Sequence, residues 1–135
     1  MTVSGTAGTL RRFDAATGQP RAAAGTIPNC TRLAVTPDGR TVAGVVSGSY
    51  IRVVDTGSGR VLAPGLRGHP DYVMGLTFGP DGELVSWDRG RVVVWDDWRR
   101  IGPRVIPTVR KRIADVGFVG PDKVAVAGED GAGVW

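Results

Sequence analysis

His69 is the only histidine among the 135 residues, and histidine is the side chain whose charge changes near neutral pH, so it is the first candidate for a general base or a metal ligand. It gathers no partners for either task. No Cys/His/Asp cluster has metal-ligand spacing, and no nucleophile motif is present. Asp96-Asp97 is a pair of carboxylates, yet neighbouring residues of a strand point to opposite faces and do not easily share a proton or a metal. Turn formation accounts for them better. The segment Gly128-Glu129-Asp130-Gly131-Ala132-Gly133 has the glycines of a phosphate loop but lacks the Lys-Ser/Thr ending and a following helix, so it reads as a hairpin turn. Cys30, beside a strand, is a small apolar group rather than a nucleophile. No recognisable catalytic constellation remains: the expectation is no enzymatic activity, no cofactor and no metal.

The residues that could bind rather than react are basic and aromatic. Arg99, Arg100, Arg104, Arg110, Lys111 and Arg112 place six positive groups within fourteen residues. With Trp98 beside them they could hold a phosphate backbone or an acidic peptide, because neutralised phosphates release counterions and aromatic rings stack bases. A solvated loop is the plainer reading. Trp87 falls at a strand-to-strand turn next to Asp88-Arg89-Gly90, where a large aromatic side chain either packs on a neighbouring element or anchors a partner. Tyr72, Trp87 and Arg89 are the first candidates for partner contact, with Arg110, Lys111 and Arg112 behind them.

These residues are positioned by many short strands. Thr9 to Asp14 is strand-like, and Ala15 to Gly18 turns it into a short strand over Gln19 to Ala24. From Thr31 a complete pattern follows: Leu33 and Val35 alternate up to the turn Pro37-Asp38-Gly39, Thr41 to Val46 forms a second strand, Tyr50 to Asp55 a third and Arg60 to Ala63 a fourth. The next unit runs from Gly68-His69 through Leu76 and Phe78 to Pro80-Asp81-Gly82, on to Trp95-Asp96, with its fourth strand expected in Trp98 to Ile101. The last begins at Arg112 and ends with its third strand at Trp135. Every connection carries the Gly, Pro, Asp or Ser that a tight turn needs.

The totals agree with this reading. The 21 Gly and 9 Pro would indicate disorder if unpatterned, but they sit at regular turn positions between Val-rich runs. Net charge is +4 and the pI about 10.0, a weak attraction for anions. One cysteine excludes an internal disulfide framework and fits a reducing compartment. Met1 to Leu10 has no continuous apolar core, so it is not a secretory signal, and no apolar run approaches the roughly 18 residues of a membrane span. A cytoplasmic location is the default.

Spacing is the strongest regularity. Phe13-Asp14, Val54-Asp55 and Trp95-Asp96 stand 41 residues apart each time, and Trp135 follows Trp95 by 40. The turns at Pro37-Asp38, Pro80-Asp81 and Pro121-Asp122 are separated by 43 and 41. A four-stranded sheet of this size has two faces to cover, so repeated units must stack and bury alternate residues such as Leu76 and Phe78. An immunoglobulin-like sandwich offers no reason for such a period.

Gly68-His69, Pro80-Asp81-Gly82, Ser86 and Trp95-Asp96, repeated at this period, resemble the WD40-repeat family over nearly the whole chain. The resemblance implies an all-β fold: a partial β-propeller of four-stranded antiparallel blades, about three WD40-like repeats, as an open arc or fragment. Residues 1–135 form a single repeat region, with a half blade at 5–24, blades at 29–63 and 68–101, and an incomplete blade at 112–135. In that family a histidine, a serine, a turn aspartate and the tryptophan form a hydrogen-bonded set. His69, Ser86 and Trp95 match three of these positions; counted back from Trp95 the fourth is Arg89, with Asp88 displaced by one. The other units are degenerate, with Val54 and Phe13 in place of the tryptophan.

By the same resemblance the chain is expected to be a non-enzymatic protein-protein interaction scaffold belonging to a larger signalling or regulatory protein. The alternative is a polyanion or nucleic-acid-binding module using the Arg99 to Arg112 cluster. Further blades or self-association are expected to complete the ring.

Overall fold

Short alternating runs separated by turn formers give strands throughout. The computed structural model describes residues 2–4, 8–22, 25–98, 102–106 and 112–135. Among them are thirteen strands: β1 (Thr2–Ser4), β2 (Leu10–Arg12), β3 (Cys30–Val35), β4 (Thr41–Val46), β5 (Tyr50–Asp55), β6 (Val61–Leu66), β7 (Gly75–Phe78), β8 (Leu84–Trp87), β9 (Val92–Trp95), β10 (Arg104–Ile106), β11 (Ile113–Val119), β12 (Lys123–Gly128) and β13 (Gly131–Val134). Among the described residues no helix is long and apolar enough to cross a membrane.

The strands form antiparallel meanders in sequence order: β1-β2, β3 to β6, β7 to β10, and β11 to β13. The first strands β3, β7 and β11 approach one another, so successive sheets stand side by side around a common inner edge, as blades do. Pro64 lies in the outermost strand β6, where its missing N–H breaks no inner ladder.

Three details depart from the sequence-based expectation. The fourth strand described in the second complete sheet is Arg104–Ile106, paired to Val92–Val94; of the expected Trp98 to Ile101, residues 99–101 lie outside the described set. Trp98 belongs to the preceding turn, because its ring is buried between sheets and its indole N–H donates to the Gly82 carbonyl at 3.4 Å. At the start, Thr2–Ser4 pairs with Leu10–Arg12, ahead of the expected beginning at Gly5. The stretch expected as a strand over Gln19 to Ala24 contributes only the isolated bridge Phe13↔Pro20, followed by Thr9↔Thr26. On either side of that pair the Asp14 N–H donates to Gln19 at 2.9 Å and the Arg21 N–H to Arg12 at 2.7 Å, and residues 23–24 lie outside the described set.

Strand alternation sends successive residues to opposite faces, and each complete sheet therefore feeds two apolar layers. Leu10 and Ile27 meet Val42, Val46 and Val54 in one. Ala43, Val45, Ile51 and Val53 meet Leu76, Leu84, Val93 and Trp95 in the next. Val85, Trp87, Val92 and Val94 meet Ile113, Val116, Val124 and Val126 in the third. Burying a Val, Leu or Ile side chain fully is worth about 1.5–3 kcal/mol, so these layers dominate cohesion. One rim adds a backbone link at the repeat period: the Val73 N–H donates to Gly48 at 2.8 Å, and the Ile113 N–H to Arg89 at 2.7 Å.

Candidate functional site: a polar network and the loop rim above it

The second complete sheet contains the only histidine, and its neighbours decide what it does. His69 Nδ1 lies 2.8 Å from Asp88 Oδ2 and Nε2 lies 2.7 Å from Ser86 Oγ, while the Trp95 indole N–H donates to the same Ser86 oxygen at 3.0 Å. The His69 and Asp88 side chains are 2% and 3% exposed, so water is shut out. An ionised Asp88 accepts only, which places the proton on Nδ1 and leaves Nε2 to accept from the Ser86 hydroxyl. The chain of donors then runs from Trp95 through Ser86 and His69 to Asp88. Burial holds the His69 pKa below its ordinary value, against the raising effect of Asp88, and the ring is neutral at pH 7.

Local backbone brings these groups together. Counting back from Trp95 points to Arg89, but the turn starts as soon as β8 ends: the Asp88 N–H donates to Arg91 at 3.0 Å and the Gly90 N–H to Asp88 Oδ1 at 2.8 Å. This turn aims the Asp88 carboxylate inward and Arg89 outward. Gly68 passes the Trp95 ring at a distance where an added Cβ would lie 3.1 Å from it, so the loop carrying His69 can lie flat on the indole. With its polar atoms engaged inside the set, the network has the arrangement of a brace between the loop, β8 and β9.

Above it lies a rim of loops. Ser47 and Gly48 both have positive φ, 50° and 74°, and the Ser49 N–H donates to Val46 at 3.0 Å, a type I′-like turn within the three-residue connection between β4 and β5. The Tyr72 ring rests on Gly48, at a place where any Cβ would collide with it, and the Tyr72 residue is still 67% exposed. Arg67 stacks over the Tyr50 ring, 4.5 Å from its centroid. Ser49, Arg67, Pro70, Asp71 and Tyr72 share a shallow depression of about 360 Å³ with His69 at its floor. The Arg67–Tyr50 stack has no signal along the chain, because the two residues are brought together only by the pairing of β5 with β6.

The other predicted contact residues separate. Arg89 is exposed on this rim. Trp87 is only 7% exposed, packed between the second and third sheets with its ring against Gly75. Its assignment as a partner contact is therefore corrected to core packing: Gly75 opposite leaves a ring-sized space that the indole fills. Arg112 is exposed and 3.4 Å from Glu129. Arg110 and Lys111 lie outside the described residues, as do Arg99 and Arg100. Arg104 is engaged by both Asp96 oxygens at 3.0 and 3.1 Å.

No family model and no curated protein matches the sequence. Solved structures do. The chain is similar to the structure of U3-55K, at 20% identity and a TM-score of 0.78, over 99% of this chain and 44% of that one. It is likewise similar to the crystal structure of RRP9 WD40 repeats, at 20% identity and a TM-score of 0.77, over 99% of this chain and 43% of that one. The fold is that of WD40-repeat structures, an open arc of propeller blades, and the chain spans less than half the length of these solved chains.

Proposed function

We propose that this chain is a non-enzymatic protein-protein interaction scaffold, a WD40-type module of a larger cytoplasmic signalling or regulatory protein, and that it meets its partner through the rim around Tyr72 and Arg89. The observation that carries the reading is Tyr72 itself. A ring 67% exposed, yet fixed against a glycine hairpin, offers a rigid amphipathic contact at low entropic cost, the character of an interface anchor. The Arg67 guanidinium beside it is held over Tyr50 and keeps its donors free for a partner's carboxylates or carbonyls. The network around His69 is saturated by its own members, which fits a structural brace.

The test is affinity capture with quantitative mass spectrometry, comparing the native chain with Tyr72→Ala and Arg89→Ala. A partner retained by the native chain and reduced roughly tenfold or more by Tyr72→Ala, a loss of at least about 1.4 kcal/mol, supports the rim. Equal retention by all three proteins sinks it.

A further inference from the structure

On the opposite rim, where the Pro-Asp turns lie, the second and third sheets part to leave a cleft of about 250 Å³. That is below the roughly 300–1,000 Å³ of pockets for drug-sized ligands and suits one side chain. Its inner walls are apolar: Val94 and Ile106 on one sheet, Phe118 and Trp135 on the other. Carboxylates line it too. Asp96 is occupied by Arg104, whereas Glu83 and Asp122 have no cationic partner among the described residues. Glu83 is the telling one. Its Oε2 accepts the Asp81 N–H at 3.1 Å, but Oε1 is buried without any hydrogen-bond partner. This oxygen is packed against Gly79 beside Phe118; a buried acceptor left unsatisfied costs about 1–3 kcal/mol, more when charged, so turning the Glu83 carboxylate towards a donor that enters the cleft is favoured.

We propose that this cleft receives an arginine side chain from a partner protein. The deficits match the group. A guanidinium supplies planar, permanently charged donors for Glu83 and Asp122, and it stacks on aromatic faces such as Phe118 and Trp135, which an ammonium does less well. Its aliphatic stem lies against Val94 and Ile106. The charge balance favours it as well: two uncompensated carboxylates in a chain whose net charge is +4 form a local acidic spot in a basic protein. The proposal concerns a second contact, independent of the Tyr72 rim.

The experiment titrates the intact chain with acetyl-arginine-amide and with a capped Gly-Arg-Gly peptide, reading indole N–H resonances by two-dimensional NMR. Trp135→Phe identifies the Trp135 signal. The Trp135 indole should move saturably, with acetyl-lysine-amide binding more weakly. Glu83→Gln, an isostere, should weaken binding roughly tenfold, as expected for one charge-assisted bond, and Asp122→Asn should weaken it less. Tyr72→Ala should leave it unchanged. If the Trp135 resonance does not move, or if Glu83→Gln and Asp122→Asn both bind like the native chain, the cleft is not an arginine site. Should Glu83→Gln fail to fold, Asp122→Asn, at an exposed position, decides alone. Loss of binding in Tyr72→Ala would also overturn the proposal, whereas a rim that fails its own capture test leaves this one standing.

Discussion

Beside Trp95, the interior of the second complete sheet is polar and saturated; at the corresponding place in the first it is apolar. Strand register makes the places equivalent. Trp95 pairs with Leu84, and two residues on stands Ser86; Val54 pairs with Val42, and two residues on stands Gly44. Where Ser86 donates to His69 and accepts from Trp95, Gly44 offers only space, and Ile27 and Cys30 fill it so closely that an added Cβ would lie 2.8 Å from one and 2.9 Å from the other. Ile27, fully buried, provides by packing what the histidine provides by hydrogen bonding. The third sheet keeps Trp135 but has Val126 at the serine's place, fully buried. One architecture thus tolerates two interiors, because backbone ladders and stacked apolar faces carry most of the cohesion, and a satisfied hydrogen bond adds only about 0.5–1.5 kcal/mol.

The comparison can be broken from either side. The largest effect is expected from Trp95→Ala, which removes a ring buried against Leu84 and Gly68 and takes one of the two hydrogen bonds from Ser86. Chemical denaturation should show a loss of about 3–5 kcal/mol, well above that of Val54→Ala at the equivalent position. Gly44→Ser, which inserts the second sheet's residue into the first, should not import the network. It should cost about 1–3 kcal/mol by overpacking against Ile27 and Cys30, and a neutral result would show that the two interiors are interchangeable. Asp88→Ala should cost about 1–3 kcal/mol by stranding the His69 N–H, and Ser86→Ala somewhat less. The double variant should lose less than the sum, a coupling that a double-mutant cycle reads directly.

A smaller effect follows from titration. His69 has its folded-state pKa lowered by burial, so the unfolded chain takes up a proton below its ordinary value of about 6.5 while the folded chain does not. Stability should be flat with respect to this group above about pH 7 and should fall as the pH drops through about 6.5 towards the folded value. His69→Gln should remove that slope. A slope that persists in the variant would place its origin elsewhere. The first sheet has no histidine and contributes no such dependence.

Much of this was legible in the chain. The recurrence of Phe13, Val54, Trp95 and Trp135 at one spacing, with Pro-Asp turns at nearly the same period, requires stacked antiparallel units, because each unit's two apolar faces need covering. His69, Ser86 and Trp95 stood out by type and position. Three things were decided only in space. A turn closing one residue early aimed Asp88 rather than Arg89 at the histidine, and backbone hydrogen bonding, not residue count, sets that geometry. Trp87, which looked like a surface anchor, filled the gap left by Gly75 on a neighbouring strand, a volume match invisible along the chain. The cleft beside Glu83 exists only where the second and third sheets diverge. Periodicity fixes which residues share a face; how closely two faces approach, and what is left unsatisfied between them, depends on side chains far apart in sequence.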